Sequence, residues 1–173
     1  MLGFVTRNCR ELSLSVARLL YVSLVRSNLE YSTIIWSPFY QSYKDSLERV
    51  QNRFLRFVGF KLFNIPFDNY HRSVMLQMIG LETLERRRER FDLCYVYKVI
   101  HGMVDCPRLL SRISLNVPER ALRRFDLFLV PFHSTNHGQH SPIDRTLRLL
   151  NRLNVDIFEC TLSGFKYRLG SIL

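Results

Sequence analysis

No run of about 20 uncharged apolar residues, the length a membrane-crossing helix needs, occurs in this 173-residue chain. Near the amino terminus, Arg7, Arg10 and Glu11 stand where a signal peptide would place its apolar stretch. An intracellular chain, nuclear or cytoplasmic and not secreted, is expected. The four cysteines, Cys9, Cys94, Cys106 and Cys160, form no close pair. That spacing fits neither a compact disulfide framework nor a zinc knuckle, and leaves reduced, mostly buried thiols as the plain reading. There is no Gly-x-Ser-x-Gly elbow and no Walker-type glycine loop, so the usual signatures of an activated serine and of a phosphate cradle are missing. Internal repeats and low-complexity segments are absent too. Lysine is scarce, with 4 residues against 21 arginines.

What is present begins with that arginine. The formal charge is +10 and 47% of residues are hydrophobic, enough for one ordinary domain or two small ones with a real core. A guanidinium matches phosphate oxygens with a planar fork and stacks on bases, so the bias favours nucleic acid. Ribosomal, chromatin and membrane-surface proteins share such a balance, so charge alone does not choose among them.

Hydrophobic periodicity predicts a mainly α chain. A helix capped by Ser13 or Ser15 carries a core-facing stripe of Val16, Leu20, Leu24, Ser27 and Tyr31, and ends before Pro38. A second opens near Ser42, sets Leu47, Val50, Phe54, Phe57 and Val58 on one side and Arg49, Arg53 and Arg56 on the other, and stops at Gly59. A turn holding Asn64, Pro66 and Asp68 leads to a helix from Tyr70 to Ile79, with Gly80 as a left-handed cap. The next helix runs from Glu82 to about Ile100, stops at Gly102, and turns from charged to nearly all apolar. Arg108 to Ile113 is expected as a short helix after Pro107. Between Arg124 and His133 the run Phe125 to Val130 has strand character, with a hairpin return through Asn136, His137 and Gly138. Ser141, Pro142 and Asp144 form a strong helix start, placing Ile143, Leu147 and Leu150 inward and Arg145, Arg148 and Arg152 elsewhere on the surface. A last helix from about Asp156 presents Phe158, Leu162, Phe165 and Leu169. The expected division is a helical region, 1–103, and a C-terminal extension, 104–173, with short strands and two helices.

The segment Ser23-Leu-Val-Arg-Ser-Asn-Leu-Glu-Tyr31, then Trp36-Ser-Pro38, then Leu47-Glu-Arg-Val-Gln-Asn-Arg53, resembles the stretch after the palm in reverse transcriptases of insect non-LTR (LINE-type, jockey-like) retrotransposons. Phe132-His-Ser-Thr-Asn136 with Gly138, and Ser141-Pro142 leading to Arg148-Leu-Leu-Asn151, resemble later pieces of the same proteins in the same order. The opening Leu2 to Asn8 resembles the connection leaving the palm, which makes Met1 either an internal methionine of a longer element or the start of a truncated copy. The resemblance covers nearly the whole chain. It implies a helical, thumb-like region that grips a template-primer duplex, followed by a C-terminal region, with the palm and fingers of the parent polymerase as partners.

Polymerases of that kind hold two metal ions about 4 Å apart on converging carboxylates. Here Asp45, Asp68, Asp92, Asp105, Asp126, Asp144 and Asp156 include no neighbouring pair. The fragment is therefore expected to be no enzyme as it stands, and to use no cofactor, catalytic residue, metal or small-molecule substrate. The nucleic-acid candidates are Arg49, Arg53 and Arg56, one turn apart with Glu48 as the nearby counter-charge, and Arg86, Arg87 and Arg90. Glu82, Glu85 and Glu89 interleave with the latter group, and Glu82 with Arg86 makes an i, i+4 pair, so a solvated salt-bridged face is the bland reading there. Trp36, Tyr31 and Tyr40 could stack on bases or serve as packing anchors. His133, His137 and His140 are spaced like metal ligands, with Cys160 available as a fourth, although histidines in a polar loop commonly bond to the turn itself. Non-specific contact with RNA or an RNA–DNA duplex is the expected role. A helical interaction module packing on the absent palm or on a host protein is the alternative.

Overall fold

The computed structural model describes residues 1–64, 72–117, 126–153, 155 and 157–173. Its helices are α1 (Leu2–Asn8), α2 (Leu14–Leu20), a π-helical stretch (Tyr21–Arg26), α3 (Ser27–Glu30), α4 (Thr33–Trp36), α5 (Gln41–Phe63), α6 (Arg72–Ile79), α7 (Leu84–Ile100) and α8 (Pro107–Leu110). Strands β1 (Ser114–Leu115) and β2 (Phe128–Leu129) follow, then α9 (Asn136–Gln139), α10 (Pro142–Leu153) and α11 (Leu162–Ile172). The fold is thus mainly α with one small antiparallel sheet, as the periodicity predicts. Pro66, Asp68, Tyr70, Arg124, Phe125 and Asp156, named above in turns and element starts, lie outside the described residues.

The chain divides into two compact units, residues 1–32 with 38–87 and residues 33–37 with 88–173. One boundary between these units falls inside α7, and the segment containing α4 belongs to the second.

In the first unit the core is built from Val5, Ala17, Tyr21, Val25, Phe54, Leu55, Val58, Met75 and Ile79. Ser13 caps α2, its hydroxyl accepting the Val16 N–H at 3.5 Å. The buried face then runs Ala17, Tyr21, Val25, one position on from the stripe expected from Val16, Leu20 and Leu24. Two apolar rows lie about 100° apart on this helix, and the stacking of Tyr21 on Phe54, rings parallel at 4.1 Å, decides between them. Leu20 and Leu24 pack at the margin of that core, while Tyr31 is 75% exposed. The helix also breaks earlier than expected, at Ser32, whose φ is +50°.

Gly59 does not end α5; it is buried in mid-helix, and the helix runs on to Asn64 at φ +52°, whose N–H bonds the Phe60 carbonyl. Asparagine tolerates the left-handed conformation that closes a helix, and glycine's helix penalty of about 1 kcal/mol at Gly59 is offset by packing, since Val58 and Gly59 are both buried. Gly80 and Gly102, both at φ +65°, sit where the sequence places helix ends.

The second unit has its own core of Leu93, Val96, Tyr97, Phe128, Ile143, Leu147, Leu150, Ile157, Phe165 and Leu169. Strand β2 pairs with β1, Leu115 opposite Phe128, rather than with a returning strand after it. The expected return is helical instead: Thr135 caps α9 by accepting the Gly138 N–H at 3.2 Å. The free side of β2 is met by a side chain, as Asn151 accepts the Phe128 N–H at 3.0 Å and donates to its carbonyl at 2.9 Å. Helix α10 starts as predicted, with the Ser141 hydroxyl bonded to the Asp144 carboxylate at 2.7 Å, and buries Ile143, Leu147 and Leu150. Phe158, expected on the last helix, precedes it and is 45% exposed; Thr161 caps α11.

Candidate nucleic-acid interface

At 100° per residue the positions 49, 53 and 56 fall on one side of α5, opposite Phe54, Leu55 and Val58. The structure brings Arg49, Arg53 and Arg56 together there, all exposed on the solvent side. Arg49 and Arg53 make no hydrogen bond or ion pair among the described residues. Their expected counter-charge has gone elsewhere. Glu48 is buried on the inner side of α5, where Oε1 accepts the Leu84 N–H at 2.7 Å and the Glu85 N–H at 3.2 Å, and Oε2 meets Arg72 Nη2 at 2.5 Å. A carboxylate at those first-turn amides satisfies two orphan donors and complements the positive end of α7. The third is taken locally, Thr83 Oγ1 accepting the Arg86 N–H at 3.3 Å.

Gln51, also buried, joins the same seam: its Oε1 accepts the Tyr21 hydroxyl at 3.1 Å and its Nε2 donates to the Glu82 carbonyl at 2.9 Å. Burial pushes the Tyr21 phenol well above the usual tyrosine range, so it stays a neutral donor. Sequence reasoning missed Glu48 and Gln51 as internal ligands. The signal was there, because helical arithmetic puts Gln51 in the same row as Leu47, Leu55 and Val58.

The second arginine group divides. Arg86 is exposed. Arg87 turns inward, its guanidinium gripping Glu30 through Nε and, at 2.9 Å, through Nη2, with Glu82 at 3.9 Å. Glu82 therefore pairs with Arg87, not with Arg86. The hydrogen bond to Glu30 leads in raising the Arg87 pKa, whereas burial leads in lowering that of Arg26, which lies 3.6 Å from the same carboxylate. Arg90 is half-buried. Trp36 carries the Arg88 guanidinium 4.3 Å above its ring, and Tyr40 packs against Phe39 and Tyr43.

Asp92 and Asp144 are held in separate hydrogen-bond networks. Asp92 accepts Thr33 Oγ1 at 2.7 Å and Arg145 Nη2 at 3.0 Å; Asp144 accepts Ser141 and meets His133 Nε2 at 2.8 Å. Among the described residues no three His, Cys, Asp or Glu side chains are placed to hold a metal ion. Cys94 is buried, which pushes its thiol upward and away from nucleophilic reactivity. No helix of the described residues is long and apolar enough to cross a membrane.

Neither a family model, nor a curated protein, nor a solved structure matches the chain. The functional reading therefore rests on the residues themselves. Among them, the α5 ridge aligns three exposed arginines along one side of a long helix.

Proposed function

We propose that this chain is a thumb and post-thumb portion of a non-LTR retrotransposon reverse transcriptase, and that it grips RNA or an RNA–DNA duplex without sequence preference and without phosphoryl transfer of its own. The observation that carries the reading is the exposed row Arg49, Arg53, Arg56 on a long helix, with Glu48 turned inward. Guanidinium groups spaced by single helical turns meet successive phosphates and release condensed counterions, which fixes position and carries no base information. Exposed Arg86 extends the basic surface of the same unit; Arg87, ion-paired to Glu30, acts by holding α7 to the segment that bears Glu30. An intracellular location, nuclear or cytoplasmic, belongs to this reading.

Binding to a labelled RNA–DNA hybrid, followed by anisotropy across a salt series, tests it. Affinity is expected to fall steeply with salt, and the triple variant Arg49→Ala, Arg53→Ala, Arg56→Ala should flatten the log–log slope by roughly 3. Exposed helix positions accept alanine without loss of fold. An affinity that ignores salt, or a slope unchanged in the triple variant, would sink the phosphate mechanism.

A second reading has its own observation. Val16 and Leu19 on α2, and Leu12 just before its cap, are 39%, 64% and 41% exposed. Exposed apolar residues of that kind suit packing on a palm or a host protein, and self-association of the isolated chain at normal salt would favour it.

A further inference from the structure

The α5 ridge does not end in charge. One turn beyond Arg56 on the same side stands Phe60, 63% exposed, four residues before the helix terminates at Asn64. Its ring meets no other ring among the described residues. Lys61, the next residue, is turned away, its ammonium donating to the Cys9 and Arg10 carbonyls at 2.8 and 2.6 Å. From Arg49 to Phe60 the helix rises about 16 Å, so three guanidinium groups in line are closed off by one bare aromatic face.

A duplex offers no use for that ring, because its base faces are already stacked within the helix and only edges and phosphates are presented. A single strand offers both partners at once: phosphates for the arginines, and an open base face for the phenyl ring. We infer that the α5 ridge is a binding track for single-stranded nucleic acid, with Arg49, Arg53 and Arg56 following the phosphates and Phe60 stacking on an unpaired base. This rests on the nucleic-acid reading above and narrows its substrate from duplex to an unpaired strand or strand end. Stacking is sequence-tolerant, since every base has a π-face, so the track needs no base preference.

The experiment uses the full chain with a short labelled single-stranded oligodeoxynucleotide and with the same strand annealed to its complement. Phe60→Ala should weaken single-strand binding about tenfold, leave duplex binding within about twofold, and leave the salt slope unaltered because no charge is removed. Phe60→Trp should keep the affinity, and its indole emission should be quenched on adding the single strand. An unchanged helical melting curve for both variants reports an intact fold. Equal loss for single strand and duplex, or no loss for either, overturns the stacking role while the arginine reading stands. Failure of the parent chain to bind either form overturns both.

Discussion

Replacing Glu48 with alanine should lower the stability of the first unit by about 3 kcal/mol. The carboxylate is only 11% exposed, and all of its bonding is spent on the start of α7 and on Arg72. Removing it strands the Leu84 and Glu85 amides, two of the four first-turn donors that a helix cannot satisfy from within. Each such bond to a charged acceptor contributes about 1.5–3 kcal/mol. The Arg72 contact adds less, because that side chain is 38% exposed and water can take the carboxylate's place. Alanine is the stronger helix former, so α5 itself is not weakened and the loss is one of tertiary structure. Glu48→Gln, which retains an acceptor oxygen of similar reach, should cost only about 1 kcal/mol. Urea unfolding followed by circular dichroism measures both. An alanine variant with the parent's midpoint would mean that the Glu48 contacts contribute nothing to holding α7.

The ease with which Glu48 is misread from the sequence shows what a pattern can and cannot carry. Periodicity locates a buried face, fully for α10 and in part for α5, where Phe54 and Val58 are buried but Leu47, Val50 and Phe57 only half so. It is silent on what a polar residue inside that face is for. Glu48 follows the rule that acids on a basic helix serve as counter-charges, yet the folded chain uses it as a cap for a helix more than 30 positions downstream. Local signals fare better: Ser13 and Ser141 cap the helices that follow them as expected, because the donor and acceptor lie within one turn, whereas Thr135 and Thr161 cap helices where the pattern suggested a hairpin and an earlier helix start. Pairings over distance do not show in a single sequence. The partner of β2 lies before it at Ser114–Leu115, and Asn151 supplies the edge from α10.

The residues behind the resemblance divide in an informative way. Arg26, Glu30, Glu48, Gln51, His133, Ser141 and Asn151 are all bonded internally in the fold. Such residues specify a structure. Of the three exposed ridge arginines, Arg49 and Arg53 lie within the Leu47 to Arg53 segment and Arg56 lies beyond it. What the helix geometry adds to the resemblance is Arg56 and the alignment of all three on the solvent side of α5.

Arg145 is the clearest case of a side chain placed on the surface by the sequence pattern and found inside. Expected to be solvent-facing on α10, it reaches instead to the end of α4, donating to the Thr33 and Ile34 carbonyls at 2.9 and 2.7 Å, to the Ser37 carbonyl at 3.4 Å, and to Asp92. One guanidinium thus bonds two carbonyls of a four-residue helix and the Ser37 carbonyl just beyond it, and neutralises a buried acid; its five donors in a fixed fork make that possible. Arg145→Ala should destabilise the second unit by about 3–5 kcal/mol, the range for breaking one partner out of a buried ion pair.

The loss should depend on pH. Burial already holds the Asp92 carboxyl above the ordinary carboxylate value, with the Thr33 hydrogen bond and the Arg145 charge pulling it down. Without Arg145 it rises further. An acid whose folded pKa exceeds its unfolded one takes up a proton on folding, so stability improves as pH falls through the folded pKa towards the unfolded value of about 3.9. The gap between parent and Arg145→Ala is therefore widest at neutral pH and narrows on mild acidification. Adding Asp92→Asn to Arg145→Ala removes the uncompensated charge, and should recover part of the loss at neutral pH while abolishing the narrowing. Thermal unfolding of the parent, both single variants and the double variant at neutral and mildly acidic pH completes the cycle. A deficit in Arg145→Ala that stays constant with pH, and is untouched by Asp92→Asn, would assign its whole effect to the α4 carbonyls and none to the buried acid.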